Sequence, residues 1–249
     1  MKLSVIIIAK NEEIMIKNCI SSLKFADEII VLDNQSYDKT VQIAEKSGAT
    51  VFPVIGRDFS YLRNIAREKS SGDWLLYIDA DEIVTEKLAK EIVKAISSPS
   101  ENIAYKIMRK NNYLGTDWPG VEKMVRLFKK SFLLGWHGSL HETPFVSGPI
   151  GNLNNNLLHY THRDISSMVL KTNEWSETEA TLRYKNNHPM MSPLRFFSVM
   201  IKAFYRSYIS DCGWKAGTVG VIESLYQTFS IFITYAKLWE KQNKRKKIK

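Results

Sequence analysis

The sequence predicts an α/β fold with a doubly wound sheet, followed by a helical region at the C-terminus. Three observations support this prediction. Apolar, β-branched runs alternate with helical patterns in the first part of the chain, as in sheets whose parallel strands are joined by helices. Acidic and amide side chains stand at the ends of those runs, and long helical patterns fill the last third.

The first strand and helix are expected at the N-terminus. Residues 3–9, LSVIIIA, are a continuous apolar run, which is typical of a strand covered on both faces. Residues 12–24 follow, with apolar Ile14, Ile16, Ile20 and Leu23 near helical spacing. The apolar run is too short for a signal peptide and meets Lys10, so we expect a core strand rather than a leader.

Three more strands are expected before residue 82. They are EIIVLD, ATVFPV and DWLLYIDAD, at residues 28–33, 49–54 and 73–81. The helix between the first two stops at Gly48. The next helix is capped by Asp58 and ends near Gly72. Strands alternating with helices in this way favour a parallel, doubly wound arrangement.

The pattern changes after residue 100. Residues 103–115 and 123–131 are expected to be strands, and residues 135–164, rich in His, Gly and aromatic side chains, to be irregular structure with short strands. Helical patterns follow, one opened by an Asp164 cap and one by Pro193 in its first turn. We therefore divide the chain into a catalytic or binding domain, residues 1–160, and a helical region, residues 161–249.

Composition limits the function. With 249 residues, 44% hydrophobic and 24% charged, the chain is long enough for a full globular core. Its net charge of +9 favours an anionic partner, which leaves nucleotides, nucleic acids and anionic membranes open. Nucleic-acid binding does not explain acids at strand ends. The two cysteines, Cys19 and Cys212, fit neither a disulfide framework nor a zinc site and indicate a reducing cytoplasmic compartment.

The stretch LYIDADEIV, residues 76–84, crowds Asp79, Asp81 and Glu82 at the end of an apolar strand. Ligands of doubly wound sheets bind at this edge. Carboxylates there can hold Mg²⁺ or Mn²⁺, whose remaining positions are often filled by substrate phosphates. The alternative is a solvated acidic loop. Because Asn11 and Asp33 also fall at strand ends, we prefer a metal and nucleotide site.

Four motifs together resemble family 2 glycosyltransferases of the GT-A fold. They are SVIIIAKNEE, EIIVLDNQSYDKT, LRNIA and WLLYIDADE, in order over residues 4–82. VRLFKK and HGSLHE extend the resemblance to the bacterial branch that includes lipopolysaccharide core glucosyltransferases. The resemblance implies a Rossmann-like, doubly wound mixed sheet, a nucleotide-sugar donor, usually UDP-linked, and direct displacement at the anomeric carbon.

The resemblance also implies roles for individual residues. It places the donor beside Lys10, Asn11, Glu12, Asp33, Arg63 and Asn64. It implies that Asp79 contacts the ribose and the metal and that Asp81 binds the metal directly. Asp38 is either near the nucleoside or a helix cap. The alternative for Arg63 is an ordinary charged residue on the surface of a helix. Glu82 is expected to support the ligands or to be solvated.

Direct displacement requires a base for the acceptor hydroxyl, and Glu142 in GSLHETP is the candidate. His141 either steadies the diphosphate or makes an ordinary core hydrogen bond. His159 resembles the late histidine that completes the metal site of some GT-A enzymes, with a core histidine as the alternative. Arg126 either meets phosphate or closes a strand.

The chain has no Q-x-x-R-W pattern and no set of spanning helices, so we expect transfer of a single sugar rather than polymer synthesis. The acceptor is expected to be a glycan or a lipid-linked molecule. A noncatalytic nucleotide-sugar or glycan-binding protein of the same fold remains the alternative. Hydrolysis of UDP-sugars separates the two classes.

The C-terminal region indicates peripheral attachment to the inner face of the cytoplasmic membrane. Residues 192–210 mix aromatic and aliphatic side chains with Arg195, Lys202 and Arg206, as expected of an interfacial helix. The tail KQNKRKKIK, residues 241–249, adds a basic cluster. The alternative is that these aromatic residues pack on the catalytic domain or in a homo-oligomer.

Overall fold

The computed structural model describes residues 1–56, 58–138 and 142–247. The chain folds into two compact units. The first contains residues 1–110 and 121–159, and the second contains residues 111–120 and 160–249. The second unit thus includes a segment from the middle of the chain in addition to its C-terminal helices. The domain boundary drawn at residue 160 remains a prediction.

The first part of the chain alternates strands and helices as expected. Its elements are β1 (Leu3–Ala9), α1 (Ile16–Ser21), β2 (Glu28–Asp33), α2 (Thr40–Lys46), β3 (Thr50–Pro53), α3 (Phe59–Lys69), β4 (Trp74–Asp79), β5 (Glu82–Val84) and α4 (Glu86–Ser97). Asp58 caps α3, since its side chain accepts the Ser60 and Tyr61 N–H groups. Helix α4, capped by Thr85, was not predicted.

The remaining elements include three long strands. They are β6 (Ala104–Tyr113), β7 (Thr116–Lys129), β8 (Leu133–His137), β9 (Thr143–Val146), β10 (Ile150–Thr161), α5 (Ile165–Lys185), α6 (Pro193–Tyr205) and α7 (Gly217–Lys247). The expectation of only short strands and irregular structure over residues 135–164 was wrong, because β10 runs for 12 residues. Its polar run of asparagines hides the alternation that marks a strand.

The eight-stranded sheet has the order β3-β2-β1-β4-β7-β6-β10-β5. Strands β3, β2, β1 and β4 run parallel to one another, and β7 pairs antiparallel with β4. Strands β8 and β9 form a separate two-stranded sheet. The large sheet is therefore mixed, with the predicted parallel half at one side.

Both faces of the large sheet are covered. Along β1, Val5 and Ile7 belong to one core cluster while Ile6 belongs to another, as the alternation of a strand requires. Residues of α1 and α4 join the first cluster, and residues of α3 join the second. This confirms the doubly wound arrangement and leaves the carboxyl ends of β1, β2 and β4 at one edge.

The second unit has a small core of its own, formed by Ala180, Met191, Tyr235 and Leu238. Asp164 caps α5 and Pro193 lies in the first turn of α6, as the sequence indicated, and Ser192 caps α6. In the described residues, no helix combines the length and apolar character that crossing a membrane requires.

The turn before α7 depends on close backbone approach. A Cβ at Gly220 would lie 1.8 Å from the carbonyl oxygen of Gly213, whereas a Cβ at Gly120 would meet nothing closer than 3.6 Å. The backbone of the turn must move to accept any side chain at Gly220.

We predict that Gly220→Ala destabilises the protein by about 1–3 kcal/mol or more, because overpacking against backbone cannot be relieved by a rotamer change. Gly120→Ala is the matched control and should leave the urea midpoint nearly unchanged. Equal midpoints for the two variants would contradict the packing of this turn.

Candidate active site

The loops after β1 and β2 are tied together at the carboxyl edge of the sheet. The Asn11 N–H donates to Ser36 Oγ at 2.9 Å, and the Tyr37 N–H donates to Asn11 Oδ1 at 3.0 Å. The Glu12 N–H donates to Thr40 Oγ1 at 2.8 Å, and Glu12 is buried. Lys10 is exposed beside them. These contacts fix the loop that was predicted to face the nucleoside.

Asp33 ends β2 with one unused oxygen. Its Oδ2 accepts the Ser36 N–H at 3.2 Å, while its Oδ1 is buried and has no hydrogen-bond partner among the described residues. Only 6% of Asp33 is exposed. A buried carboxylate oxygen without a partner costs free energy that an incoming N–H donor would recover.

Asp38 lies one residue before Lys39, the N-cap position of helix α2. It accepts the Thr40 N–H at 2.9 Å and the Glu13 N–H at 3.1 Å. Burial raises the pKa of Asp38, but the hydrogen bonds from Thr40 outweigh burial and lower it below its ordinary value. The bond from the Thr40 N–H ties Asp38 to the first turn of α2, and its place near the nucleoside remains a prediction.

The turn between β4 and β5 carries three acids in different surroundings. Glu82 is fully buried, and its Oε2 accepts the Asp79 N–H at 2.8 Å. Its Oε1 lies 3.1 Å from Arg126 Nη2 and 3.2 Å from Arg109 Nη1. Glu82 therefore closes the turn from inside. The expectation that it could be solvated was wrong.

Asp79 is held by guanidinium groups. Its Oδ2 lies 2.6 Å from Arg126 Nη2 and 3.8 Å from Arg109 Nη1, and its Oδ1 lies 3.4 Å from Arg63 Nη2. Burial would raise the pKa of Asp79, but Arg126 and Arg63 hold it well below its ordinary range. Burial also raises the pKa of Glu82, with Asp79 adding to the increase against the opposing effect of Arg126.

Arg126 is buried and bound to both acids. Burial lowers the pKa of its guanidinium, but the charges of Asp79 and Glu82 more than compensate and raise it. The guanidinium therefore stays charged. Of the two predicted roles, contact with phosphate would require Arg126 to give up one of these ion pairs.

Arg63 connects the β4 turn to the candidate base. Its Nε and Nη2 lie 3.0 and 2.9 Å from Glu142 Oε1. Its guanidinium carbon sits 4.8 Å from the Trp136 ring centroid and 5.5 Å from that of Tyr77. Arg63 is buried, so the alternative of a surface helix charge was wrong.

Asn64 bonds to the backbone of β8. Its Nδ2 donates to the Trp136 carbonyl at 3.1 Å, and its Oδ1 accepts the Trp136 N–H at 2.9 Å. Both ends of the amide are thus occupied by the backbone of one residue. The predicted contact of Asn64 with the donor remains a prediction, and the structure gives the side chain a role in joining α3 to β8.

Asp81 and His159 meet at the edge of β5 and β10. Asp81 Oδ1 lies 3.4 Å from His159 Nε2, and both side chains are largely buried. The pairing of β10 with β5 places His159 opposite Glu82. The sequence prediction brought Asp81 and His159 together for metal binding. Among the described residues, no group of three or more His, Cys, Asp or Glu side chains forms a metal site.

Two further points concern the predicted residues. His141 lies outside the described residues. Arg109, which binds Glu82, was missed, although a signal existed: on β6 it shares a strand face with the buried residues Tyr105, Ile107 and Asn111. A charged residue at a core-facing strand position needs a buried partner.

The fold and this edge define an α/β protein with acids, arginines and a histidine gathered where doubly wound sheets bind their ligands. The model of the family described as "Glycosyl transferase family 2" matches residues 4–159. The chain belongs to this family and is a glycosyltransferase. The predicted GT-A fold class, a mixed sheet followed by a helical region, is confirmed.

Similar proteins agree with the family. An "Uncharacterized glycosyltransferase RC0292" of Rickettsia conorii is 31% identical over 265 residues, covering 99% of this chain and 93% of that protein. The "Lipopolysaccharide core biosynthesis glycosyltransferase LpsC" of Rhizobium meliloti is 25% identical over 253 residues, covering 96% and 92%. The glucosyl-3-phosphoglycerate synthase of Mycobacterium tuberculosis, solved with Mn²⁺ and UDP-glucose, is 28% identical over 44% of each chain with a TM-score of 0.38.

We predict that Arg126→Met destabilises the fold by about 3–5 kcal/mol near neutral pH, because the buried Glu82 and the partly exposed Asp79 lose their main counter-charge. Ion pairing lowers the pKa of Asp79 in the fold, so its stabilisation is present above the unfolded pKa and lost as pH falls through the folded pKa. The difference between wild type and variant should therefore keep its full size down to about pH 4, the ordinary pKa range of an aspartate, and shrink as the pH falls further.

Urea unfolding across this pH range measures the effect. Lys106→Met, which removes an exposed positive charge from the neighbouring strand, is the control and should change stability little at any pH. A loss in Arg126→Met that does not vary with pH would point to packing rather than charge.

Proposed function

We propose that the protein is an inverting, metal-dependent hexosyltransferase. It moves one sugar from a nucleotide diphosphate donor, a UDP-hexose, to a glycan or lipid-linked acceptor in lipopolysaccharide core or other cell-envelope glycan synthesis. The observation that best supports this proposal is a group of side chains at the carboxyl edge of the sheet. Asp81 lies beside His159, and Arg63 joins Asp79 to Glu142. Residues separated by many positions in the sequence converge where the donor is expected.

The donor's base fits beside Asp33. The unpartnered, buried Oδ1 of Asp33 suits an N–H group such as the imide of uracil. Asn11 and Glu12 shape the neighbouring loop through the bonds to Ser36 and Thr40, and Lys10 adds a positive charge at the surface. This combination supports a uridine nucleotide.

Asp81 and His159 fit a divalent cation. They offer a carboxylate oxygen and an imidazole nitrogen 3.4 Å apart, and Mg²⁺ or Mn²⁺ can complete its shell with donor phosphates and water. Asp79 fits less well, since its carboxylate is bound to Arg126 and Arg63. When bound, the metal would neutralise charge on the diphosphate. We assign Asp79 to the ribose side and to orienting the turn.

Glu142 is placed to accept a proton. Both contacts from Arg63 use Oε1, which leaves Oε2 for an acceptor hydroxyl. In the proposed step, the hydroxyl oxygen bonds to the anomeric carbon as its proton passes to Glu142. The bond from that carbon to the phosphate oxygen breaks, and its electron pair leaves with the nucleoside diphosphate. Arg63 fixes the direction of the carboxylate throughout.

The acceptor class and location rest on other features. LpsC, similar over nearly the whole chain, is described by its name as a lipopolysaccharide core glycosyltransferase, which supports an envelope acceptor. Cys19 and Cys212 are both free, in keeping with a reducing compartment. We propose a cytoplasmic protein bound peripherally to the inner face of the cytoplasmic membrane.

A donor screen tests the proposal. Thermal shift is measured with UDP-glucose, UDP-galactose, GDP-mannose and ADP-heptose, each with and without Mn²⁺. We expect stabilisation by a UDP-sugar that grows with Mn²⁺, followed by slow hydrolysis of that donor. Binding without any hydrolysis or transfer would favour a noncatalytic sugar-binding protein instead.

We predict that Asp81→Ala abolishes transfer and removes the Mn²⁺-dependent part of UDP binding, because the cation loses its carboxylate ligand. Calorimetric titration of UDP with and without Mn²⁺ measures the second effect. Glu86→Ala, an exposed acid in the first turn of α4, is the control. Unchanged, Mn²⁺-dependent UDP binding by Asp81→Ala would refute the metal site.

We predict that Glu142→Gln lowers transfer by roughly 10²-fold or more, since the amide keeps the size of the side chain but cannot accept the proton. Donor binding should stay within a few-fold of wild type. Glu122→Gln, at a more exposed acid paired with Arg109, serves as the control. Wild-type turnover by Glu142→Gln would place the base elsewhere.

A further inference from the structure

Helix α6 has an apolar stripe that is open to solvent. Leu194, Phe197, Ile201 and Tyr205 are 83%, 66%, 67% and 59% exposed. They recur at spacings of three and four residues, so they share one face of the helix. No residue of α6 is buried. Over 11 residues at 1.5 Å each, the stripe is about 16 Å long.

The opposite side of α6 packs within the second unit. Phe196 and Val199 lie against the cluster of Met191, Tyr235 and Leu238. The Phe196 ring centroid is 6.0 Å from that of Phe232 on α7. The helix is therefore fixed with its apolar stripe outward, and this exposure is not the consequence of an unpacked helix.

The flank of the stripe is basic. Arg195 and Lys202 are exposed and seven residues apart, which lines them up beside the apolar stripe. The exposed Arg206 follows the end of α6, and its Nε lies 3.9 Å from Asp211 Oδ2. No Asp or Glu occurs from residue 180 to residue 210. Trp214, exposed in the turn that follows, has the Lys215 ammonium 5.2 Å from its ring.

We propose that this face of α6 binds a lipid bilayer with anionic headgroups. The apolar stripe enters the boundary between headgroups and acyl chains, and the three basic side chains meet the headgroup phosphates. A second copy of this chain fits poorly, because an isologous contact would bring the Arg195 and Lys202 side chains of two α6 helices together, while Asp211, the acid that follows, already lies 3.9 Å from Arg206. The inference deepens the peripheral location proposed above by naming the surface and its partner.

The test is co-sedimentation of the full chain with vesicles of pure phosphatidylcholine and of equal parts phosphatidylcholine and phosphatidylglycerol. Wild type should bind the anionic vesicles and lose most of that binding at high salt. The double variant Phe197→Glu, Ile201→Glu should bind at least about tenfold more weakly, since the apolar face can no longer enter the interface. Leu170→Glu, at an exposed apolar residue of α5, is the matched control and should bind as wild type does.

A second pair of variants isolates the charge. Arg195→Gln with Lys202→Gln should weaken binding to anionic vesicles by several-fold. Lys87→Gln with Lys90→Gln, at exposed lysines of α4, removes the same charge elsewhere and should not. Circular dichroism confirms that each variant is folded. Hydrolysis of the soluble donor should stay unchanged in all of them, so loss of vesicle binding is distinguished from failure of the catalytic proposal.

Three results would overturn the inference. The first is wild-type protein that ignores anionic vesicles. The second is a Phe197→Glu, Ile201→Glu variant that binds them like the Leu170→Glu control, which would assign the contact to another surface such as residues 241–249. The third is a stable dimer, seen by light scattering, that this variant dissolves, which would make the face an interface between copies of the chain.

Discussion

The ion-pair network of Arg126 with Asp79 and Glu82 is the constraint on which the site depends. Burying a carboxylate or a guanidinium alone costs several kcal/mol, so the buried positions of Glu82 and Arg126 depend on these ion pairs, to which Arg109 adds a second guanidinium. The same Glu82 accepts the Asp79 N–H, which joins the charge network to the backbone of the turn. Asp81 lies between these two anchored residues. Its direction, toward His159, is set by a turn that buried charges hold closed.

The network also lies at the seam of the mixed sheet. Asp79 ends β4, the last parallel strand, and Arg126 lies on β7, which pairs antiparallel with β4. Arg109 on β6 and His159 on β10 extend the contacts across the antiparallel half. The parallel half carries the loops that are proposed to face the nucleotide, and the antiparallel half carries Arg109, Arg126 and His159. A ligand at this edge would contact side chains from both halves.

The parts of the fold that were predicted from sequence are those with local signals. β1, β2 and β4 are short apolar runs, and α3, α5 and α6 have caps within a few residues of their starts. Strand β10 was missed because asparagines separate its core-facing residues, such as Leu153 and Leu157, so that the sequence shows no clear alternation of apolar and polar residues. In the site, Asp33, Asp81 and Glu142 stand in motifs. The partners that decide their surroundings lie far along the chain, as Arg109 does from Glu82, and no local pattern encodes that distance.

The three acids of the β4 turn show why a motif does not by itself assign roles. Asp79 and Asp81 are chemically identical and two residues apart, yet Asp79 is neutralised by guanidinium groups while Asp81 faces an imidazole. Since a cation is repelled by arginines, the guanidinium groups around Asp79 disfavour it as a metal ligand, and the proposal above therefore places the cation at Asp81. Glu82, which the sequence alone left as either a supporting residue or a solvated one, is the most buried of the three acids. In this turn, the roles proposed for the acids rest on the counter-charges around each side chain and not on its place in the motif.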